Sequence, residues 1–244
     1  MKVRQMKVLS VTDLSKTYPG FRLQKVSFAV EAGTVMGFIG RNGAGKTTTL
    51  KAIMNMVHTT DGQISFFGLD MKEHERAIKQ RIGYAGGAVD YYKKKPISKL
   101  LAVTKTFYDH WDDAVCSRYM KLFSLDENKT PSELSEGMKV KLSLVIALSH
   151  GAELLILDEP TSGLDPVSRE ELLEIFRHLK ARGVSILFST HIISDLDKCA
   201  DAITYIRDGR IVYTGSVDGF TRGEGLEDVM IRQEKEAFCE KLAL

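Results

Sequence analysis

A chain of 244 residues is long enough to bury a full core in a single domain. Its 34 Lys and Arg against 32 Asp and Glu leave a formal charge of +2, without the concentrated basic excess that marks a nucleic-acid partner. Cys116, Cys199 and Cys239 form neither a zinc pattern nor a disulfide framework, which points to a reducing cytosol; no run approaches the roughly 18 apolar residues of a membrane span.

Val8 to Leu14 and Val26 to Val30 read as short alternating strands, separated by the turn signal Thr17-Tyr18-Pro19-Gly20. Tyr18 is either a half-buried turn tyrosine or a ring that stacks on adenine, since stacking needs only a π face. The apolar run Val35 to Ile39 then enters Gly40-Arg41-Asn42-Gly43-Ala44-Gly45-Lys46-Thr47-Thr48, followed by a helix-like segment from Thr48 to Met56. This is the full P-loop pattern in its required setting between strand and helix. Such a loop is a nest of backbone N–H groups ending at a helix N-terminus, where partial positive charge favours phosphate. Gly40, Gly43 and Gly45 supply backbone freedom and remove Cβ atoms that would hold phosphate oxygens away. Lys46 reaches the β- and γ-phosphates, and the Thr47 hydroxyl is a ligand for Mg²⁺. The chain binds a nucleotide.

Further strands are expected over Gly62 to Gly68 and from Arg81 to Ala85. Asp90 to Lys95, with three lysines before Pro96, reads as a solvated loop leaving the core. Apolar spacings of three and four predict helix from Ser98 to Leu125, part of a helical subdomain inserted over about 88–150. Leu134-Ser135-Glu136-Gly137-Met138 precedes a strongly apolar helix, with Ser135 placed to cap it and Gly137 permitting close approach. That makes a second anion-binding helix start where one nucleotide already has its cradle, which suggests two copies facing each other; an ordinary capped helix is the alternative.

Leu154 to Leu157 reads as a buried parallel strand ending in Asp158-Glu159-Pro160. Carboxylates at a buried strand end need a cation. Beside a P-loop that cation is Mg²⁺, held by Asp158, with Glu159 as general base for the attacking water. A sharp turn, Ser162 to Pro166, starts a helix over Val167 to Arg182, closed by Gly183. A strand from Val184 to Phe188 delivers His191 to the ligand-binding edge of the sheet, as a site residue or as a satisfied structural histidine. Asp208-Gly209 turns a hairpin, and Glu227 to Leu244 reads as a short surface helix.

In this order the motifs resemble the nucleotide-binding subunit of ATP-binding cassette (ABC) transporters along nearly the whole chain. The most specific element is L-S-E-G-M at 134–138, where the family usually reads L-S-G-G-Q. The resemblance implies an α/β fold, a P-loop NTPase with a RecA-like core, an N-terminal antiparallel β subdomain and the inserted helical subdomain, all in one domain over 1–244. It implies ATP and Mg²⁺ as ligands, Tyr18 as the adenine-stacking ring, and Ser135 and Gly137 as contacts to the γ-phosphate of a second copy or a homologous subunit. Asp165 would cross to the partner's P-loop, and His191 would act as the γ-phosphate switch. Two departures stand out: Gly87 replaces the usual Gln or Glu, with Asp90 as a possible substitute, and Glu136 and Met138 alter the motif after Leu134. One cassette without a fused span resembles subunits that pair with separate six-span permeases. The expectation is a cytoplasmic ATPase at the inner face of the membrane, driving export. A soluble ATPase gating assembly, or a weakly hydrolysing partner subunit, is the alternative.

Overall fold

The structure, a computed structural model, describes residues 6–86 and 94–242, the last three by backbone alone. The chain runs through β1 (Lys7–Tyr18), β2 (Phe21–Glu31), β3 (Val35–Ile39), α1 (Lys46–Ile53), β4 (Asp61–Phe66), β5 (Leu69–Asp70), α2 (Glu75–Lys79) and β6 (Ile82–Gly86). Gly87 and Asp90, where the resemblance departs, lie outside the described residues. Next come α3 (Ile97–Lys105), α4 (Asp113–Leu122), α5 (Glu136–Ser149), β7 (Leu154–Asp158), α6 (Pro166–Ala181), β8 (Ser185–Thr190) and α7 (Ile193–Cys199). β9 (Ala202–Arg207), β10 (Arg210–Ser216), α8 (Val217–Thr221) and α9 (Leu226–Leu242) complete it.

Two sheets result. One is antiparallel, in the order β2-β1-β4-β5; the other has the order β10-β9-β3-β8-β7-β6, parallel except for β10. The central strands are apolar on both faces because both faces are covered. Along β3, Val35 and Ile39 join one apolar cluster while Met36 and Phe38 join the other, and β7 divides Leu155 and Leu157 from Leu154 and Ile156 in the same way. Strand pleat sends alternate side chains to opposite sides. The antiparallel sheet and α1 (Leu50, Ile53) cover one side; α4, α5 and α6 (Met120, Leu142, Phe176) cover the other.

The two sheets are fastened at small, specific places. Arg81, just before β6, grips Glu153 with two hydrogen bonds of 2.6 and 2.8 Å while its guanidinium lies 3.7 Å from the Phe67 ring of the antiparallel side. A planar fork serves carboxylate and ring at once. Gly209, in the β9–β10 turn, donates its N–H to the Ala44 carbonyl (3.0 Å), and its own carbonyl accepts from Gln24 (2.8 Å). Its φ is +73°, and an added Cβ would stand 1.9 Å from the Arg22 carbonyl oxygen.

Two sequence-based expectations change. The helix predicted from Ser98 to Leu125 is two helices, because Asp112 caps α4 by accepting from the N–H groups of Ala114 (2.8 Å) and Val115 (3.0 Å). The break is pinned to α2: Gln80 donates to the Phe107 carbonyl (2.8 Å), and the Asp109 N–H donates to Gln80 Oε1 (2.9 Å). The expected short surface helix at the C-terminus is the 17-residue α9, and it is half inside: Leu226, Val229 and Met230 are buried, an i, i+3, i+4 stripe that anchors it.

At the break, the Tyr108 ring stacks on buried His150 at 3.8 Å, and His150 Nδ1 donates to the Gln80 carbonyl at 3.1 Å. Burial pushes this imidazole from its ordinary 6.5 down to about 4. As pH falls, the unfolded chain therefore takes up this proton first. The stabilisation is full above about pH 6.5 and is lost as pH falls toward 4, by an amount on the order of 3 kcal/mol. Denaturant melts between pH 7 and 4 should show this loss, and His150→Phe should flatten that part of the profile.

Candidate functional site

β3, β7 and β8 are neighbours in parallel register, with Ile39 opposite Thr190 and Asp158 opposite Ser189. Their C-terminal ends therefore deliver the loop from Gly40, the pair Asp158-Glu159 and His191 to one edge. A cleft of about 650 Å³ opens there, lined by Gly20, Phe21, residues of the 41–48 loop, Glu159, Ser162 and His191.

The loop forms because Gly45, at φ +113°, turns the chain into α1. An added Cβ on Gly45 would lie 2.7 Å from Leu23 Cδ2 and 2.8 Å from Phe21 Cζ, so only glycine fits. No side chain caps α1 and no acidic residue sits in its first turn, which leaves the positive end of the helix to an incoming anion. Lys46 is buried, with its ammonium 2.7 Å from the Gly40 carbonyl and 3.1 Å from Glu159 Oε1. Thr47 is exposed to the cleft.

Glu159 is the meeting point. Its other oxygen, Oε2, accepts from His191 Nδ1 at 2.8 Å, so that ring nitrogen carries the proton. The chain breaks out of β7 at this residue with φ +51°, a left-handed conformation that costs a β-carbon residue roughly 1 kcal/mol. It is held there by its N–H, which donates to Ser189 Oγ (2.9 Å) and approaches the Ser189 carbonyl (3.2 Å). The same Ser189 hydroxyl donates to Asp158 Oδ1 at 2.5 Å. One buried serine therefore holds the Asp158 carboxylate and the Glu159 backbone together. Sequence reasoning passed it over, although a hydroxyl inside an otherwise apolar strand end was the available signal.

The expected site residues fall into two groups. Arg41, Asn42, Gly43, Gly45, Lys46, Thr47, Thr48, Glu159 and His191 share the cleft, and Asp158 joins them through Ser189. Ser135, Gly137 and Asp165 do not line it. Ser135 caps α5 by accepting from the Met138 N–H at 3.2 Å, and an added Cβ on Gly137 would stand 3.2 Å from Leu164, so this helix start is packed against the Ser162–Asp165 turn. Glu136, in the first turn of α5, pairs with Lys139 at 2.6 Å.

Tyr18 also lies outside the lining residues, with Lys16 Nζ 4.9 Å from its ring centroid. Phe21, its cross-strand partner across the hairpin, is among the lining residues. Directly opposed residues present their side chains on the same face. The oxygen donors available, the Thr47 hydroxyl and the Asp158 carboxylate, are hard ligands of the kind that suit Mg²⁺ shared with phosphate and water.

Residues 23–162 match the family described as ABC transporter. The ABC transporter ATP-binding protein YtrB of Bacillus subtilis is 32% identical over 213 residues, covering 86% of this chain and 73% of that protein. The Nod factor export ATP-binding protein I of Burkholderia lata is 33% identical over 228 residues, covering 88% and 75%. A solved structure of an ATP binding subunit of an ABC transporter is 30% identical, covers 92% of this chain and 98% of its own, and superposes with a TM-score of 0.83.

Ser189→Ala should lower stability by about 1–2 kcal/mol, since it strips a buried hydrogen-bond partner from the Glu159 N–H and from Asp158. Thermal melts will give that loss; Ser189→Thr, which keeps a hydroxyl, should restore most of it.

Proposed function

This chain belongs to the ABC transporter family as an ATP-binding, ATP-hydrolysing subunit, and we propose that it works as one half of a head-to-tail pair that closes on two ATP molecules. Residues 1–244 act as a single ABC ATPase domain, with the helices at about 88–150 as its inserted subdomain. The pair drives a separate membrane permease from the cytoplasmic face. No helix among the described residues is long and apolar enough to cross a membrane, which supports spans carried by another chain. The direction is export, on the strength of the similarity to a subunit named for Nod factor export. The transporter subunits among the relatives do not favour a soluble, non-transport ATPase.

The observation that carries this reading is the single carboxylate of Glu159, set 3.1 Å from the Lys46 ammonium and 2.8 Å from His191. Triphosphate seated on the 40–48 loop offers Lys46 a stronger counter-charge than Glu159 does. Lys46 then turns to phosphate and leaves Glu159 to take the proton from the attacking water. His191 holds Glu159 on one side and lines the cleft that the 40–48 loop opens onto. Thr47 and Asp158 would hold Mg²⁺, which would neutralise phosphate charge there. Ser135 and Gly137, packed away from their own cleft, are positioned to serve the partner's cleft, with Asp165 beside them.

Glu159→Gln should lower ATP turnover by at least about a hundredfold and leave an ATP-dependent dimer visible by light scattering. Turnover at the wild-type rate would instead identify a weakly coupled partner subunit. Phe21→Leu and Tyr18→Leu separate the two candidate base platforms. Loss of a stacked ring should weaken ATP binding roughly tenfold. Tripolyphosphate, which has no base, should bind both variants as it binds the wild type. The geometry predicts the larger effect at Phe21.

A further inference from the structure

α9 is more than a terminal helix resting on the core. Arg41 of the P-loop lies 3.8 Å from Glu234 of α9, the Tyr205 hydroxyl donates to that same carboxylate, and Arg207 donates to the Gln233 carbonyl at 3.1 Å. These contacts fix α9 alongside the nucleotide site. Between them runs a groove of about 420 Å³, with Gly40, Arg41 and His191 on one wall and Ile231, Lys235 and Phe238 on the other. Ile231 is 44% exposed and Phe238 58% exposed, so the groove keeps apolar surface in water.

The chain also carries a projection that matches this groove. Asp165, Pro166 and Val167 form the exposed start of α6, with Val167 68% exposed. Asp165 is locked in place by accepting from the N–H groups of Val167 and Ser168, both at 3.0 Å, and Ser168 helps to hold its carboxyl in the anionic form. The groove answers with Lys235, which makes no ion pair with a described residue; Arg41, also exposed, already faces Glu234 at 3.8 Å. The charge of Glu234 is already met by Arg41 and Tyr205. Knob and groove are both exposed in the same molecule, so a second copy offers each surface its counterpart.

We propose that the exposed face of α9 is a docking surface for a second copy of this chain, receiving the partner's Pro166 and Val167 beside His191. This rests on the head-to-tail pairing proposed above, in which the partner's Asp165 approaches the P-loop; the groove continues that face through Gly40, Arg41 and His191. It makes the C-terminal helix part of the seam that closes on nucleotide.

The test uses two full-length proteins, both carrying Glu159→Gln to hold ATP and Cys239→Ser to remove the exposed thiol. One also carries Val167→Cys and the other Ile231→Cys. Mixed with ATP and magnesium and then oxidised mildly, they should form a disulfide-linked dimer on a non-reducing gel. Neither protein should form it alone, and ADP in place of ATP should suppress it. Phe238→Asp should weaken the ATP-dependent dimer about tenfold, as loss of an apolar anchor does, with nucleotide affinity of the monomer unchanged. An ATP-dependent dimer by light scattering without the mixed disulfide, or a disulfide from either protein alone, overturns the docking and leaves the pairing standing. No ATP-dependent dimer at all overturns both.

Discussion

A carboxylate shared between an ammonium and an imidazole organises this molecule's reactive edge. Lys46 comes from the start of α1, Glu159 from the end of β7 and His191 from the end of β8, and they meet only because β3, β8 and β7 lie side by side in parallel register. Parallel strands demand cover on both faces, and the two apolar clusters provide it. The left-handed bend at Glu159 is a local cost that this burial sustains. Core and chemistry are therefore linked: loosening the packing under β7 and β8 would move the carboxylate before it unfolded anything.

The division of site residues between two places is what the proposed head-to-tail pair would account for. The cleft holds the loop, the base and the histidine. Ser135 and Gly137 lie apart, against Leu164 of the turn that carries Asp165. In the proposed pair, this second helix start would serve another copy. Glu136 in that first turn opposes an anion, and its ion pair with Lys139 moderates the opposition without removing it.

Much of this was legible in the residues. Apolar runs of strand length gave β3, β7 and β8, the glycine spacing gave the loop, and Asp208-Gly209 gave the hairpin. The missed features share a physical origin: each depends on what lies opposite in space. Helical periodicity runs straight through Phe107 to Trp111, and only Gln80, distant in sequence, shows that the segment is held as a loop. Ser189 looks like one more strand residue until the Asp158 carboxylate and the Glu159 N–H are seen to meet at its hydroxyl. Phe21 escaped notice beside the turn aromatic Tyr18, and hairpin register pairs the two, with Phe21 lining the cleft. The tail shows abundant charge, which obscures the three apolar residues that seat it.

Gly209 lies outside the cleft lining and has no side chain, yet it sits between the P-loop, through Ala44, and β2, through Gln24 and Arg22. It works as a spacer of minimal thickness. A genetic screen scored for lost ATP binding would accordingly recover alleles here, in a hairpin outside every recognised motif. Their defect would be one of spacing, since even a methyl group would wedge the loop away from the sheet that supports it.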